Sequence, residues 1–292
     1  MIQASVFSDE LSLDFAETVR LCAELRVPFI DPREGLFGRN INEIGMDEAQ
    51  EMKRLMDRYG VRVGCIGSGF GKCSLTDADE WKQHLAILER QFRFADLWGT
   101  RLLRMFPFWL PEPFDWRSPT RPDFLSRYLP RVVDKLRVAC QLAEREGITF
   151  TMEAEGSTFS GTCPEIRTII DAVGSKALTA CWDVVNSWSY GRVGWPDDYP
   201  YIKGLVTHLH IKDATFDPAN RAKSTGYTHI DLGEVPWVEI FRTLNADGYN
   251  GLAGVETHLF FGMANRHRWL QPATINALRN LNRVLAEAQG HL

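Results

Sequence analysis

No stretch of the chain approaches the ~20 consecutive apolar residues that a membrane-spanning helix needs. The first residues, MIQASVFSDE, lack the basic segment and following apolar run of a secretory leader. Both absences lead to the expectation of a cytoplasmic protein with no membrane partner. Basic excess is missing too: the formal net charge is -5 and the isoelectric point is near 5.8, which speaks against a surface built for nucleic acid or anionic lipid. Six cysteines, at positions 22, 65, 73, 140, 163 and 181, form no CxxC pair, so free thiols in a reducing compartment are the simplest account. There is no Gly/Ser linker, charge block or low-complexity run. With 292 residues, 45% of them hydrophobic, residues 1–292 can bury one large core and are expected to form a single domain.

What is present is a rhythm. Short β-rich segments, 2–7, 27–33, 61–67, 101–106, 148–153, 177–183, 205–213 and 251–256, alternate with helical patterns over 11–25, 46–59, 79–97, 123–146, 164–173, 235–246 and 272–288. A short helical piece before residue 205 completes eight βα units, which predict an α/β fold, a single closed (β/α)8 TIM barrel. The rival, a doubly wound open sheet, usually carries a Gly-rich phosphate turn after its first strand, and FSDEL is not one. The later GSGFGK also misses the P-loop spacing. The proline- and aromatic-rich run 107–122 is a candidate lid or pocket wall.

The segment LVTHLHIKD, 205–213, carries the first chemical signal. Strand alternation puts Val206, His208, His210 and Lys212 on one face. Between helices such a strand is buried on both sides, and buried imidazole and ammonium groups need partners. Lone acids end three other apolar segments: Glu153 in ITFTME, Asp183 in ALTACWD and Glu256 in LAGVE. With His210 they fall at the C-terminal ends of strands five to eight, where barrel enzymes hold their sites. Singly, each has a plain structural account: Asp183 as a turn or cap residue, Glu153 as an ion-pair partner of Lys212, His210 as a satisfied core histidine. Together they converge in one mouth, where three carboxylates would repel unless a divalent cation joined them. Three oxygens and one imidazole suit Mn²⁺ first, with Mg²⁺, Co²⁺ or Zn²⁺ as alternatives.

The order Glu153, Asp183, His210 with Ile211-Lys212-Asp213, and Glu256, together with FSDEL near the start, Arg33 ending strand two and Gly-Glu-Val-Pro-Trp before helix seven, resembles the xylose isomerase-like (β/α)8 superfamily of sugar phosphate isomerases and epimerases. The resemblance implies a metal held by Glu153, Asp183, His210 and Glu256, with Glu153 and Glu256 also flanking the reacting carbon as acid and base. It does not give the substrate, because the superfamily also holds dehydratases and endonucleases; the endonucleases need extra histidines and a basic DNA-binding face, which the acidic isoelectric point speaks against, so a small carbohydrate and no nucleic acid are expected. Where ketose 3-epimerases carry a glutamate, a histidine and an arginine around the sugar, this chain has Phe159, Asn186 and Phe216, which speaks against a simple free ketohexose.

Arg33, Lys72, Arg104, Asn186, His208 and Trp109 are candidates to orient the substrate, and Lys212 to stabilise an enediolate. Arg104 shares its strand face with Leu102 and Phe106, so it points into the barrel or the facing of that strand is inverted. Phe106, Phe108, Trp109, Trp188, Trp195, Phe260 and Phe261 would stack on a sugar or an aglycone, or pack the rim or a homo-oligomer interface. The expected function is a divalent-metal-dependent isomerase or epimerase acting on a keto-sugar or related polyhydroxy carbonyl through α-proton abstraction. The alternative is a metal-dependent lyase, a dehydratase or one expelling an aglycone, with the same first step. A metal-free binding module has no need of three convergent carboxylates.

Overall fold

Ser5 and Phe7 of the first strand, β1 (Gln3–Phe7), face inward. Ser5 Oγ donates to Asp31 at 2.7 Å, and the Phe7 ring stands 5.0 Å from that of His210. Ala4 and Val6 alternate to the other side and join the apolar core between strands and helices. The remaining strands are β2 (Phe29–Asp31), β3 (Arg62–Val63), β4 (Ile66–Phe70), β5 (Leu102–Met105), β6 (Thr149–Glu153), β7 (Leu178–Asp183), β8 (Val206–Ile211), β9 (Asp213–Asp217), β10 (Asn220–Thr228) and β11 (Leu252–Val255). The structure is a computed structural model that describes residues 1–111, 121–188, 192–217, 219–260 and 262–290.

Nine strand segments pair in parallel in the order β3-β2-β1-β11-β8-β7-β6-β5-β4. The two ends of this order, β3 and β4, are consecutive pieces of one chain path, interrupted only at Gly64 and Cys65. Gly64 and Gly67 donate to the Ile30 and Pro32 carbonyls at 2.9 Å each, and Asp31 Oδ1 accepts the Cys65 N–H at 2.8 Å. The ring therefore closes, and the fold is the expected single α/β TIM barrel. All six cysteines are buried and free. Among the described residues, no helix is long and apolar enough to cross a membrane.

The helices begin and end where local chemistry allows. Asp14, Asp77, Asp123 and Thr162 cap Phe15–Glu24, Ala78–Trp98, Phe124–Glu146 and Cys163–Val173 with side-chain oxygens on early N–H groups. The helix Met46–Tyr59 ends at Gly60 with φ 69°, a left-handed stop that glycine adopts without strain. The structure departs from the sequence reading in several places, beginning with the helix expected over 11–25, which is split into Ser8–Leu11 and Phe15–Glu24. The last helix spans His267–Ala288 and holds Pro272 inside it. It starts earlier because Leu270 packs with Leu259 and Ala273 in a small separate apolar cluster. After β8, the chain forms an antiparallel ribbon, β9 with β10, before reaching the helix Trp237–Ala246.

Candidate metal centre

Register sets the centre. Asp183 of β7 pairs with His210 of β8, which pairs in turn with Gly254 of β11. Glu153 ends β6, and Glu256 follows β11, its N–H on the Ile211 carbonyl at 3.0 Å. All four side chains are buried, and one donor atom from each lies within 4.8 Å of all the others. Opposite donors on an ion with bonds of about 2.1–2.4 Å stand roughly that far apart, so the set fits one ion.

Each carboxylate turns one oxygen inward and has the other tied down. Glu153 Oε1, Glu256 Oε2 and Asp183 Oδ2 lie 3.0, 3.5 and 4.0 Å from His210 Nδ1. On the outward side, Glu153 Oε2 takes Arg104 Nη1 at 3.1 Å and Asp183 Oδ1 takes the Asn186 N–H at 2.9 Å. Glu256 Oε1 takes Arg33 Nη1 and lies 3.3 Å from His258 Nε2. Asp183 Oδ2 is buried and accepts no aligned hydrogen bond among the described residues. Lys212 Nζ stands 2.6 Å from it and 3.3 Å from Glu256 Oε2.

The charges shape one another. Burial alone would raise Glu153, but His210 and Arg104 outweigh it and hold the carboxyl down at about 2. Burial is likewise overcome at Glu256, where Lys212, His258 and Arg33 keep the group well below the usual carboxylate range. At Asp183 burial wins over Lys212 and the value rises. Burial would lower Lys212, yet Asp183 and Glu256 push it well above its ordinary value.

A second layer holds these groups. Arg104 Nε and Nη2 donate to the Ser68 and Gly67 carbonyls at 3.1 Å each, fixing the guanidinium inside the barrel between the Phe7 and Phe106 rings. Arg33 lies over the Phe7 ring at 4.1 Å and forks onto Asp9 at 3.0 and 2.8 Å. Glu10 Oε2 accepts the Thr257 hydroxyl at 2.7 Å and its N–H at 3.2 Å, anchoring the residue after Glu256. Asp213 takes the N–H groups of Ala214, Asp231, Gly233 and Val235. A Cβ on Gly233 would come 2.0 Å from its Oδ1, so this turn requires glycine.

The structure thus gathers Glu153, Asp183, His210, Glu256, Lys212, Arg33 and Arg104 into one cluster. Arg104 points inward, the first of its two readings. Lys72 sits at the rim, 3.3 Å from Glu155 and 4.1 and 5.4 Å from the Phe106 and Trp109 rings. Trp109 is 38% exposed. Asn186 donates its amide to the Ala154 carbonyl at 2.9 Å. His208 lies one pleat below, wholly buried, its Nε2 on Asp31 at 3.1 Å. Phe106, Phe108 and Trp188 are core residues; Trp195 packs near Trp182 at 6.2 Å and Tyr199 at 5.6 Å. Phe260 joins the small cluster of Leu259 and Leu270. Phe261 and most of the lid candidate, 112–120, lie outside the described residues.

Sequence reasoning missed Phe7, Asp9, Glu10, Asp31, Tyr227 and His258. Asp31 carried the same signal as the ligands, a lone acid ending the apolar run FID. Tyr227, on the ribbon, packs edge-on against His258 with centroids 5.1 Å apart, a contact no local pattern announces.

The donor set, three inward oxygens and one imidazole nitrogen with an oxygen left without an aligned hydrogen bond, fits a divalent ion of the Mn²⁺ or Mg²⁺ type. The fold has solved counterparts. The probable 3-DHS dehydratase AsbF of Bacillus anthracis, involved in petrobactin synthesis, superposes with a TM-score of 0.71 at 17% identity, over 96% of this chain and 99% of that one. D-psicose 3-epimerase of Clostridium cellulolyticum H10, solved with D-tagatose, gives 0.71 at 15% identity over 97% and 99%. A xylose isomerase-like TIM barrel protein of Mycobacterium smegmatis, in complex with magnesium, gives 0.69 at 20% over 98% and 97%. At these identities the likeness is one of fold. The sequence family described as xylose isomerase-like TIM barrel matches residues 19–273, and the chain belongs to that family.

Proposed function

We propose that this protein is a divalent-metal-dependent isomerase or epimerase of a keto-sugar or related polyhydroxy carbonyl, working in the cytoplasm with Mn²⁺ held by Glu153, Asp183, His210 and Glu256. The observation that carries the reading is the pair of glutamates. Glu153 and Glu256 come from strands separated by β7 and β8, and both reach His210 Nδ1, at 3.0 and 3.5 Å. Inversion at a carbon α to a carbonyl needs a base on one face and an acid on the other. Two carboxylates arriving from separated strands supply both, while Asp183 and His210 have no second task. A bound divalent ion would polarise the carbonyl and offset the negative charge that grows on its oxygen.

The chain's own groups divide the remaining work. Arg104 and Arg33 hold the outward oxygens and so fix the plane in which each glutamate faces the substrate. Lys212, within reach of the inward oxygens of Asp183 and Glu256, favours charge developing nearby. Lys72 and Trp109 offer a rim that is cationic and aromatic, suited to hydroxyls on one side and C–H faces on the other. Phe159 packs by Tyr128 with centroids 5.7 Å apart and Phe216 stacks on Trp188 at 4.7 Å, so the polar arms that would grip a small free ketohexose are replaced by packing. A larger polyhydroxy carbonyl suits this mouth better.

The test is solvent exchange. D-Tagatose, D-fructose, 3-keto-glycosides and inososes are incubated with Mn²⁺-loaded protein in D₂O and followed by NMR. Deuterium entering the α-carbon with formation of the epimer or isomer is the expected result. Exchange accompanied by loss of water or an aglycone assigns the chain to the lyases instead. Absence of exchange with every polyhydroxy carbonyl overturns the proposal.

A further inference from the structure

The three inward oxygens differ in their company. Glu153 Oε1 faces His210 at 3.0 Å. Asp183 Oδ2 and Glu256 Oε2 share another neighbour, Lys212 Nζ, at 2.6 and 3.3 Å. Lys212 is wholly buried and sits two residues beyond His210, on the same strand face, so its stem rises directly beside the metal donors. The ammonium is close to Asp183 Oδ2 but out of line for a hydrogen bond to it. The attraction there is between charges rather than a directed bond.

The other cations near the cluster are built differently. Arg104 is fixed by two backbone carbonyls and Glu153 Oε2, and Arg33 by both oxygens of Asp9 and by Glu256 Oε1. Each arginine is a rigid fork engaged on the outward side. Lysine is a compact charge on a flexible four-carbon stem, able to move aside. Three carboxylates in a dry mouth need a positive charge at their centre whenever no ion is bound.

Resting on the metal-centre reading above, we infer that Lys212 is the site's own counter-cation. Its ammonium neutralises Asp183 and Glu256 in the metal-free protein and must withdraw from both oxygens when a divalent ion enters. Lys212 then weakens metal binding, through competition for two donors and repulsion of like charges. Loading the metal also releases the ammonium from its pairing, so the same event that completes the centre makes this cation available to a substrate oxygen. A lysine that merely braced the ligands would have the opposite effect on affinity.

The experiment compares chelator-stripped wild type, Lys212→Met and Lys212→Gln. Mn²⁺ binding is read from the EPR signal of free Mn²⁺ and by calorimetry, and thermal melting is recorded with and without Mn²⁺. Lys212→Met should bind Mn²⁺ about tenfold more tightly or better. Without metal it should melt below wild type, and Mn²⁺ should raise its melting temperature by more than it raises that of wild type. If Lys212→Met does not fold without metal, Lys212→Gln, which keeps most of the bulk and a polar end without the charge, carries the comparison. His210→Asn placed in each background must abolish the tight binding, which identifies the site measured. Equal or weaker affinity in a folded variant overturns the inference and leaves the metal centre intact, as does failure of both variants to fold even with Mn²⁺. A wild type that binds no Mn²⁺ overturns the metal centre itself.

Discussion

Asp31 Oδ2 lies 3.1 Å from His208 Nε2, and neither side chain reaches solvent. The same carboxylate serves Ser5 and the Cys65 N–H, and two glycines leave it room. A Cβ on Gly64 would come 2.9 Å from Oδ1, and one on Gly254 would come 2.8 Å from Oδ2. This pair is the floor on which the metal centre rests. Asp31→Ala, which leaves a buried imidazole and a buried N–H without their acceptor, should cost about 3–5 kcal/mol in urea unfolding. Asp31→Asn keeps one acceptor and should cost less. A loss below about 1 kcal/mol for the alanine variant would mean that water replaces the carboxylate there.

His210→Asn and Glu256→Gln should each reduce bound metal from one equivalent toward none, measured by elemental analysis after dialysis. Full metal content in both would remove these residues from the ligand set.

Arg104→Met frees the outward oxygen of Glu153 and should weaken Mn²⁺ binding by about 10–100-fold, the scale on which groups bracing a ligand act. Arg104→Lys should recover little of this, because one ammonium cannot serve Glu153 Oε2 and the Ser68 and Gly67 carbonyls with the geometry of a guanidinium. Full recovery in the lysine variant would show that charge alone matters.

Asp213, which is not one of the four candidate ligands, gives a pH signature of its own. Burial pushes its carboxyl from 3.8 up to about 6, the Val235, Ala214 and Gly233 N–H groups offsetting only part. Because the folded value is the higher one, the folded chain holds the proton longer than the unfolded chain. Stability from this group is present at low pH and is lost as pH rises from about 4 through 6. The stability of wild type minus that of Asp213→Asn should therefore fall by at most about 3 kcal/mol across that window. A difference that is flat in pH, measured by urea unfolding, would contradict the assignment.

Trp109→Ala should raise KM for the substrate found by exchange about tenfold, with Tm within about 2 °C of wild type. A large fall in Tm at constant KM would instead make Trp109 a packing residue of the rim.

The barrel was legible because each βα unit writes its own local pattern, an apolar run followed by a helical period. The ligands were legible because a lone Glu153 or Asp183 ending an apolar run is costly unless it has a purpose. Asp31 meets the same criterion, ending FID two residues before Arg33. The ribbon was invisible because 218–226, PANRAKSTG, has none of the apolar alternation that marks a buried strand. Pro272 reads as a first helical residue, whereas the helix begins at His267, with Leu270 packed upstream of the proline. Contacts such as Tyr227 with His258 depend on which loops meet above the mouth, and that is fixed only by closure.

The bonds from Glu10 to Thr257 span 247 residues, and the one from Arg33 to Glu256 spans 223. Both tie the beginning of the chain to its last strand. During synthesis, Glu153, Asp183 and His210 all precede Glu256, which joins them only when β11 docks between β1 and β8, and contacts so distant in sequence as those to β1 are costly to close. A nascent chain lacking β11 would offer an ion only three of the four candidate donors, so an ion held by all four would be captured tightly only after the N-terminal segment has gripped the C-terminal one.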